Sequence, residues 1–236
     1  MKKLHDANPI GFSLIWIGLY CILMSAADGL SVAIGVEKSL TLAVTLALSG
    51  ALVIFLARNR LTEQYGLCRA RVKSRAMLYY LPALILLSVN LWGGAVWPPL
   101  SAATLCYVLS MFGVGFLEEV IFRGLLYNAL AKQSPKTAVA VASLTFGMGH
   151  ILNLLNGSGA GLAENLLQVV YASAAGFMFV MIYRKSQSLW VCIGVHGLFN
   201  ALSILSAPPS PALQYLNCLA LTGICVGYGV YLGKQK

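Results

Sequence analysis

The sequence predicts an all-α, polytopic integral membrane protein with about eight transmembrane helices and both termini in the cytoplasm. The chain has 236 residues, of which 59% are hydrophobic and only 10% are charged, whereas a soluble domain carries roughly 25% charged residues. Apolar runs of about 20 residues recur along it, and such a run crosses a bilayer as a helix. Helices are expected because lipid forces backbone groups to bond within each span.

The apolar runs predict spans at 10–28, 39–57, 76–96, 100–131, 137–155, 162–183, 188–206 and 211–233. The fourth is long enough to tilt or to extend past the bilayer. Turn-forming residues separate several spans, namely WPP at 97–99, QSPK at 133–136, NGSG at 156–159 and APPSP at 207–211. We expect a single transmembrane domain over residues 1–236, with the first span retained as an anchor rather than cleaved as a signal peptide.

The basic residues test this arrangement. With eight spans, all 16 lysines and arginines except Lys38 fall on one side, if Arg123 is counted with the side nearest to it. The positive-inside rule then predicts cytoplasmic termini. Orientation and attraction to anionic lipid account for the net charge of +9, so we expect the lipid bilayer as a partner and no nucleic acid. The six cysteines are scattered singly without a CxxC pair, which indicates neither a disulfide framework nor a thiolate zinc site.

Two adjacent acids lie inside the fourth span, in the stretch GFLEEVIFRG. A carboxylate near the bilayer centre costs about 2.5–3.5 kcal/mol on insertion scales. Glu119 and Arg123 are four residues apart on a helix and are able to pair, whereas neighbouring residues point about 100° apart. We therefore predict a structural Glu119–Arg123 pair and a working Glu118 without a local partner, although a tilt or kink would allow the opposite assignment.

Other polar side chains reach a similar depth on two further spans. Counting about 1.5 Å per residue from the cytoplasmic turns, Glu118 lies about 20 Å deep and His150 about 21 Å deep. His196 and Asn200 lie about 15 and 21 Å deep in the seventh span. Three spans therefore bring polar groups to one level, which predicts a shared site within the membrane.

These residue types fit amide hydrolysis. A buried carboxylate acts as a general base, a histidine beside it orients water, and N–H groups stabilise an oxyanion. His196 and Asn200 share one helix face because they are four residues apart. The chain contains no HExxH, GxSxG or GxGD motif. A buried structural network and an ion relay in a proton-coupled transporter remain the alternatives, although paired broken helices are absent from the sequence pattern.

Three motifs occur in order on separate spans: E-E-x-x-x-R at Glu118, Glu119 and Arg123, F-x-x-x-H at Phe146 and His150, and H-x-x-x-N at His196 and Asn200. Together they resemble the CPBP family of type II CAAX prenyl endopeptidases and their Abi-like bacterial relatives. The motif-bearing core covers about 100–206. The first three spans and the last carry no such signature.

The resemblance implies an intramembrane endopeptidase that cleaves near the cytoplasmic side, with a conical cavity open to the cytoplasm and the lipid. By the same analogy, Glu118 activates water with His150, and His196 and Asn200 form the oxyanion site. Glu119 and Arg123 support that site, and Phe146 shapes the cavity wall by packing. The implied substrate is a peptide or a membrane protein, which in eukaryotic members is a prenylated CAAX protein, and the implied location is the cytoplasmic membrane of a bacterium.

Two alternatives stay open. Glu118, His150 and His196 would suit a zinc ion with a water in the fourth position. Glu119 would then have to serve as the separate base, although Arg123 competes for it, so we expect a mechanism that requires no cofactor. The second alternative is a non-catalytic membrane protein that acts in immunity or as a scaffold. The sequence does not determine the oligomeric state.

Overall fold

The computed structural model describes residues 1–154 and 161–235. Within these ranges the protein is helical, and its only β-type pairing is an isolated bridge between Ala95 and Ser206. The predicted all-α fold is therefore confirmed. The NGSG turn predicted at 156–159 and residue 155, the last of the fifth predicted span, lie outside the described residues.

Nine helices follow one another along the described ranges. They are α1 (Lys2–Ala7), α2 (Pro9–Ile34), α3 (Ser39–Arg58), α4 (Ser74–Leu91), α5 (Ala102–Ala131), α6 (Pro135–Leu154), α7 (Leu162–Ser186), α8 (Trp190–Leu205) and α9 (Pro211–Lys234). α4 is kinked near its start, where Leu78, Tyr79 and Tyr80 have φ values of 48°, 52° and 59°. Seven of these are long and apolar enough to cross a membrane, and α8 is a shorter apolar helix. The protein is thus a multi-pass integral membrane protein, and α2 to α9 correspond in order to the eight predicted spans.

Four of the helices begin directly after a residue whose side chain caps the helix. Asn8 accepts a hydrogen bond from Gly11 N, and Ser101, Ser134 and Ser210 cap α5, α6 and α9 in the same manner. A proline follows Asn8, Ser134 and Ser210 directly, and proline at the first helical position lacks only an N–H that has no helical partner. These caps place the first residues of the four helices close to the predicted starts of their spans.

The third span is shorter than predicted. The sequence suggested a run over 76–96, but α4 ends at Leu91. The chain leaves the helix at Gly93 and Gly94, and Gly94 has a φ of 101°, which favours glycine. This glycine pair ends α4 before the WPP turn is reached.

One end of the bundle collects the basic segments, and we call it the basic face. His5 of α1 bonds the hydroxyl of Tyr65 in the α3–α4 loop, Arg71 N of the same loop bonds Ser186 O, and Lys185 bonds Gln235 O near the end of the described chain. Burial raises the pKa of Tyr65, so its phenol stays neutral beside His5. These contacts bring together the segments that the charge pattern predicts to share one side.

The opposite end, which we call the distal face, is formed by the other set of turns. Lys38 pairs with Asp28 at 2.9 Å across the α2–α3 turn. Val96 N bonds Leu205 O, which joins the α4–α5 connection to the end of α8. Gln214 bonds Glu164 between the starts of α9 and α7. Each long helix therefore runs from one face to the other.

Glycines let α5 and α8 approach closely beside the two glutamates. A Cβ on Gly115 would lie 2.5 Å from the backbone nitrogen of Gly197, and a Cβ on Gly197 would lie 3.0 Å from the backbone oxygen of Phe112. Small residues at membrane helix interfaces permit this kind of backbone contact. The approach sets the distance between Glu118 on α5 and His196 on α8.

Replacing Gly115 by alanine is expected to destabilise the protein by about 1–3 kcal/mol, because the new methyl group must push two backbones apart. Gly194→Ala, on the same helix as Gly197, is the matched control, since a Cβ there meets nothing within 4 Å. Thermal unfolding of both variants in detergent tests the prediction. Equal stability of the two variants would contradict it.

Candidate functional site

The two glutamates lie where the geometry of α5 changes. Ala102–Glu118 is an ordinary α-helix, and a π-helical segment over Glu119–Tyr127 follows without a break. Every residue of this segment is buried. π-Helical turns are rare and frequently occur at functional sites. The apolar pattern predicts a span of ordinary helix here, and nothing in it marks the π-helical segment.

Both carboxylates contact one imidazole. Nδ1 of His196 lies 2.8 Å from Oε1 of Glu119, and Nε2 of His196 lies 3.3 Å from Oε2 of Glu118. Helix geometry predicts that neighbouring glutamates point about 100° apart and cannot share one direction. The close approach of α8 to α5 at Gly115 inserts the ring between them, so one side chain reaches both.

Glu118 has a further partner on α2. The hydroxyl of Tyr20 donates a hydrogen bond of 2.6 Å to Oε1 of Glu118. The partners found for Glu118 thus lie on other helices, and Tyr20 was missed because the first span carries no family signature. The depth of Tyr20 in the first span was the available signal. Tyr20 lies 11 residues after Pro9, which is about 17 Å of helix and is similar to the depth of the other polar groups.

Arg123 is enclosed next to the site. Its Nη1 lies 3.1 Å from Oε1 of Glu119, and both side chains are completely buried. The guanidinium carbon lies 4.0 Å from the centre of the Phe146 ring and 5.4 Å from that of Phe179. Within the described part of the chain its nitrogens have no partner in hydrogen-bond geometry, so charge proximity and the aromatic faces stabilise it.

Two phenylalanines hold the imidazoles in place. The Phe146 ring contacts His150 and His196 edge-on, with ring centres 5.4 and 5.6 Å apart. Phe179 of α7 stacks on His196 at 5.5 Å with an angle of 22° between the ring planes. The sequence motif contained Phe146, and its position is that of a packing residue. Phe179 was missed because it belongs to no motif.

Glu118, His150 and Asn200 line one cavity of about 560 Å³, together with Tyr20 and Phe146. His196 lies behind Glu118 and lines a small adjoining space with His150 and Asn200. In residues 1–154 and 161–235, neither the ring of His150 nor the amide of Asn200 has a side-chain hydrogen bond, whereas Glu118 is held by Tyr20 and His196. The structure thus brings the predicted residues together and leaves two polar groups available to a bound molecule.

The cavity runs from Glu118 towards the distal face, where Asp28, Glu37 and Lys38 line it. The family resemblance implied a cavity open to the cytoplasm, and hence to the basic face if the termini are cytoplasmic. The described cavity opens at the distal face and not at the basic face, because the buried segment Glu119–Tyr127 fills the space on the basic side. Leu61 and Tyr65 of the α3–α4 loop belong to the same apolar core and close that side.

The arrangement does not fit the zinc site considered as an alternative. Across the ranges that the structure describes, no three His, Cys, Asp or Glu side chains form a group able to hold a metal ion. His196 directs one nitrogen to each of the two glutamates, so Glu118, His150 and His196 do not present three free donors to one point.

The fold and the site define a class: a multi-pass helical membrane protein with a carboxylate–imidazole site enclosed by its helices. Residues 98–202 match the family model described as type II CAAX prenyl endopeptidase Rce1-like. A Bacillus subtilis (strain 168) protein named "Putative membrane peptidase YdiL" is 26% identical over 124 residues, which are 52% of this chain and 45% of that protein.

The three motifs lie within the matched segment, so residues 98–202 are similar to type II CAAX prenyl endopeptidases over the part of the chain that carries the site. The resemblance inferred from the motifs is confirmed. The match covers about half the length of the curated relative. The segment matched by the family model, residues 98–202, does not include α2, which supplies Tyr20.

Tyr20→Phe is expected to lower turnover by about 10- to 100-fold, because a hydrogen bond to a charged group contributes about 1.5–3 kcal/mol. Because Tyr20 bonds Glu118, the pH dependence of turnover should shift as well. Tyr215→Phe, on an exposed part of α9, is the control. A Tyr20→Phe protein with the parental rate and pH profile would contradict the role.

Proposed function

We propose that the protein is an intramembrane endopeptidase that hydrolyses peptide bonds with a water activated by Glu118. One observation carries the proposal. Glu118 faces a cavity that also exposes His150 and Asn200, while Tyr20 and His196 fix the orientation of its carboxylate. The membrane peptidase description of the family and of the relative supports the same reaction class.

In this mechanism Glu118 accepts a proton from a water molecule that His150 orients. The hydroxide attacks the carbonyl carbon of the scissile bond, and the carbonyl oxygen becomes an oxyanion. The amide of Asn200 donates to that oxyanion. The oxyanion role that the resemblance implies for His196 would require Nε2 of His196 to leave its contact with Oε2 of Glu118. The C–N bond then breaks, and Glu118 returns its proton to the leaving amine.

Glu119, Arg123 and Phe146 act through their neighbours. Arg123 compensates the charge of Glu119, and Glu119 holds Nδ1 of His196, which directs Nε2 towards Glu118. Phe146 packs between Arg123 and the two imidazoles. Such supporting contacts keep a reactive constellation in productive geometry.

The proposed substrate is a peptide or a segment of a membrane protein, and the proposed location is the cytoplasmic membrane of a bacterium. The mechanism needs no cofactor. Activity of purified protein that persists after prolonged chelation supports this point. Activity that disappears with the chelator and returns with zinc would contradict it.

The decisive experiment compares membranes that contain the intact protein with membranes that contain Glu118→Ala. Peptides released by the intact protein alone, identified by mass spectrometry, are the expected result. Immunoblots of both membrane preparations verify equal insertion. A Glu118→Ala protein that releases the same peptides and retains full biological function would instead favour a scaffold.

A further inference from the structure

The direction of the cavity carries a further inference, which rests on the proposed function. We propose that substrate enters the site from the distal face, on the side of the membrane opposite the basic loops. The substrate class is then a peptide segment exposed on the extracytoplasmic side, such as part of an exported or membrane-anchored protein. A prenylated C-terminus in the cytoplasm would not reach Glu118.

The lining of α2 marks the path. Tyr20, Met24, Asp28 and Val32 all line the cavity and are spaced four residues apart, so they form one stripe along the helix. Twelve residues of α-helix span about 18 Å. The stripe starts at the hydrogen bond to Glu118 and ends next to the α2–α3 turn.

The lining of α5 and α8 runs in the same direction. On α5, Glu118, Val114, Met111 and Tyr107 follow one another towards the start of the helix at the distal face. On α8, Ser203 continues from Asn200 towards the end of the helix, and its hydroxyl bonds that of Tyr107 at 2.8 Å. Three helices therefore bound a single passage from the glutamate to the distal face.

The opposite direction is closed by packing. Val120, Ile121, Leu125 and Leu126 of α5 are at most 2% exposed. They form one apolar core with Leu61 and Tyr65 of the α3–α4 loop, among others. Interiors packed in this manner leave no space for a peptide, so a route from the basic face would require this core to separate.

The mouth of the passage is polar. The Asp28 carboxylate accepts hydrogen bonds from Lys38 and Thr41, and Glu37 beside them is exposed. Deeper in the passage, Met24, Met111, Val114 and Phe199 form apolar walls. Charged groups at an opening and apolar walls below it suit a peptide that arrives from water and buries its side chains, and the volume falls within the range of about 300–1,000 Å³ typical of ligand sites.

The distribution of basic residues indicates which side of the membrane the mouth of the passage faces. His5, Arg71, Lys185 and their contacts place the basic segments at the end away from the mouth. Basic loops are retained in the cytoplasm. The mouth therefore faces the extracytoplasmic side.

Side-specific thiol labelling tests the proposal. Cys192, Cys218 and Cys225 are buried and are left in place. With Cys21→Ala, Cys68→Ala and Cys106→Ala as background, each of three proteins carries one further thiol: Ser25→Cys within the passage, Glu37→Cys at its mouth, or the native Cys68 at the basic face. A membrane-impermeant maleimide is applied to spheroplasts and to inverted membrane vesicles. We expect Ser25→Cys and Glu37→Cys to react in spheroplasts only, and Cys68 to react in inverted vesicles only.

Labelling of Ser25→Cys only from the side that labels Cys68 would overturn the proposal, and so would its failure to react from either side. The measurement does not depend on catalysis, so it is repeated in a Glu118→Gln background. Correct labelling together with a protein that cleaves nothing would refute the proposed function and leave the access route standing. Cleavage together with reversed labelling would refute the route alone.

Discussion

Glu118→Gln is expected to lower peptidase activity by about 10²–10⁴-fold, the usual contribution of a general base, while the protein remains folded and inserted. The amide oxygen of glutamine still accepts the hydrogen bond from Tyr20, which in the parent protein is 2.6 Å long. The amide does not accept a proton from water. The loss should therefore appear in turnover rather than in stability.

The measurement is the initial rate of peptide release by purified protein in lipid, with thermal unfolding as the check on the fold. Glu164→Gln is the matched control, because Glu164 is exposed at the start of α7 and bonds Gly161 N and Gln214. Its rate should equal that of the parent. A rate for Glu118→Gln within a few-fold of the parent would reject Glu118 as the base.

Arg123→Met is expected to cost about 3–5 kcal/mol of folding stability, because it leaves a completely buried carboxylate on Glu119 without its cation. Methionine has a similar length and keeps the contact with the Phe146 ring. Glu119 would keep its contact with His196. Its carboxylate would no longer be compensated by Arg123, and we expect the carboxylate and the bound imidazole to change position together. Activity should therefore fall together with stability.

A double variant separates the charge from the packing. Glu119→Gln combined with Arg123→Met removes both charges, and its stability should exceed that of Arg123→Met alone. Arg71→Met is the control, since Arg71 and Glu63 form an exposed pair with side chains 60% and 73% accessible, and exposed pairs contribute at most about 1 kcal/mol. Unfolding in mixed detergent micelles gives the three values. A double variant less stable than Arg123→Met would show that the buried pair is not governed by its charge balance.

The sequence predicted the candidate site residues that lie on the motif-bearing spans. Glu118, His150, His196 and Asn200 share one depth because each helix advances by a fixed rise per residue, so counting from the turns was sufficient. The Glu119–Arg123 pairing followed from their i, i+4 spacing, and the two side chains do lie together. Their catalytic and supporting roles stay predictions.

The partners of these residues across helices did not follow from spacing. Which face of α2 meets α5, and which ring stacks on His196, depends on how the helices rotate and cross. Tyr20 and Phe179 lie on helices without a motif, and their contacts with Glu118 and His196 arise from that packing. The π-helical segment after Glu118 likewise has no marker in a uniformly apolar stretch.

The sequence by itself determined the order and approximate bounds of the apolar helices, since hydrophobic length and the positions of caps and glycines are local properties of the chain. It also determined the side on which the basic segments gather. Only the tertiary structure decided that one imidazole joins two adjacent glutamates and that the cavity runs to the distal face. Both depend on close contacts between residues far apart in sequence, at Gly115 with Gly197 and between the α3–α4 loop and the π-helical segment.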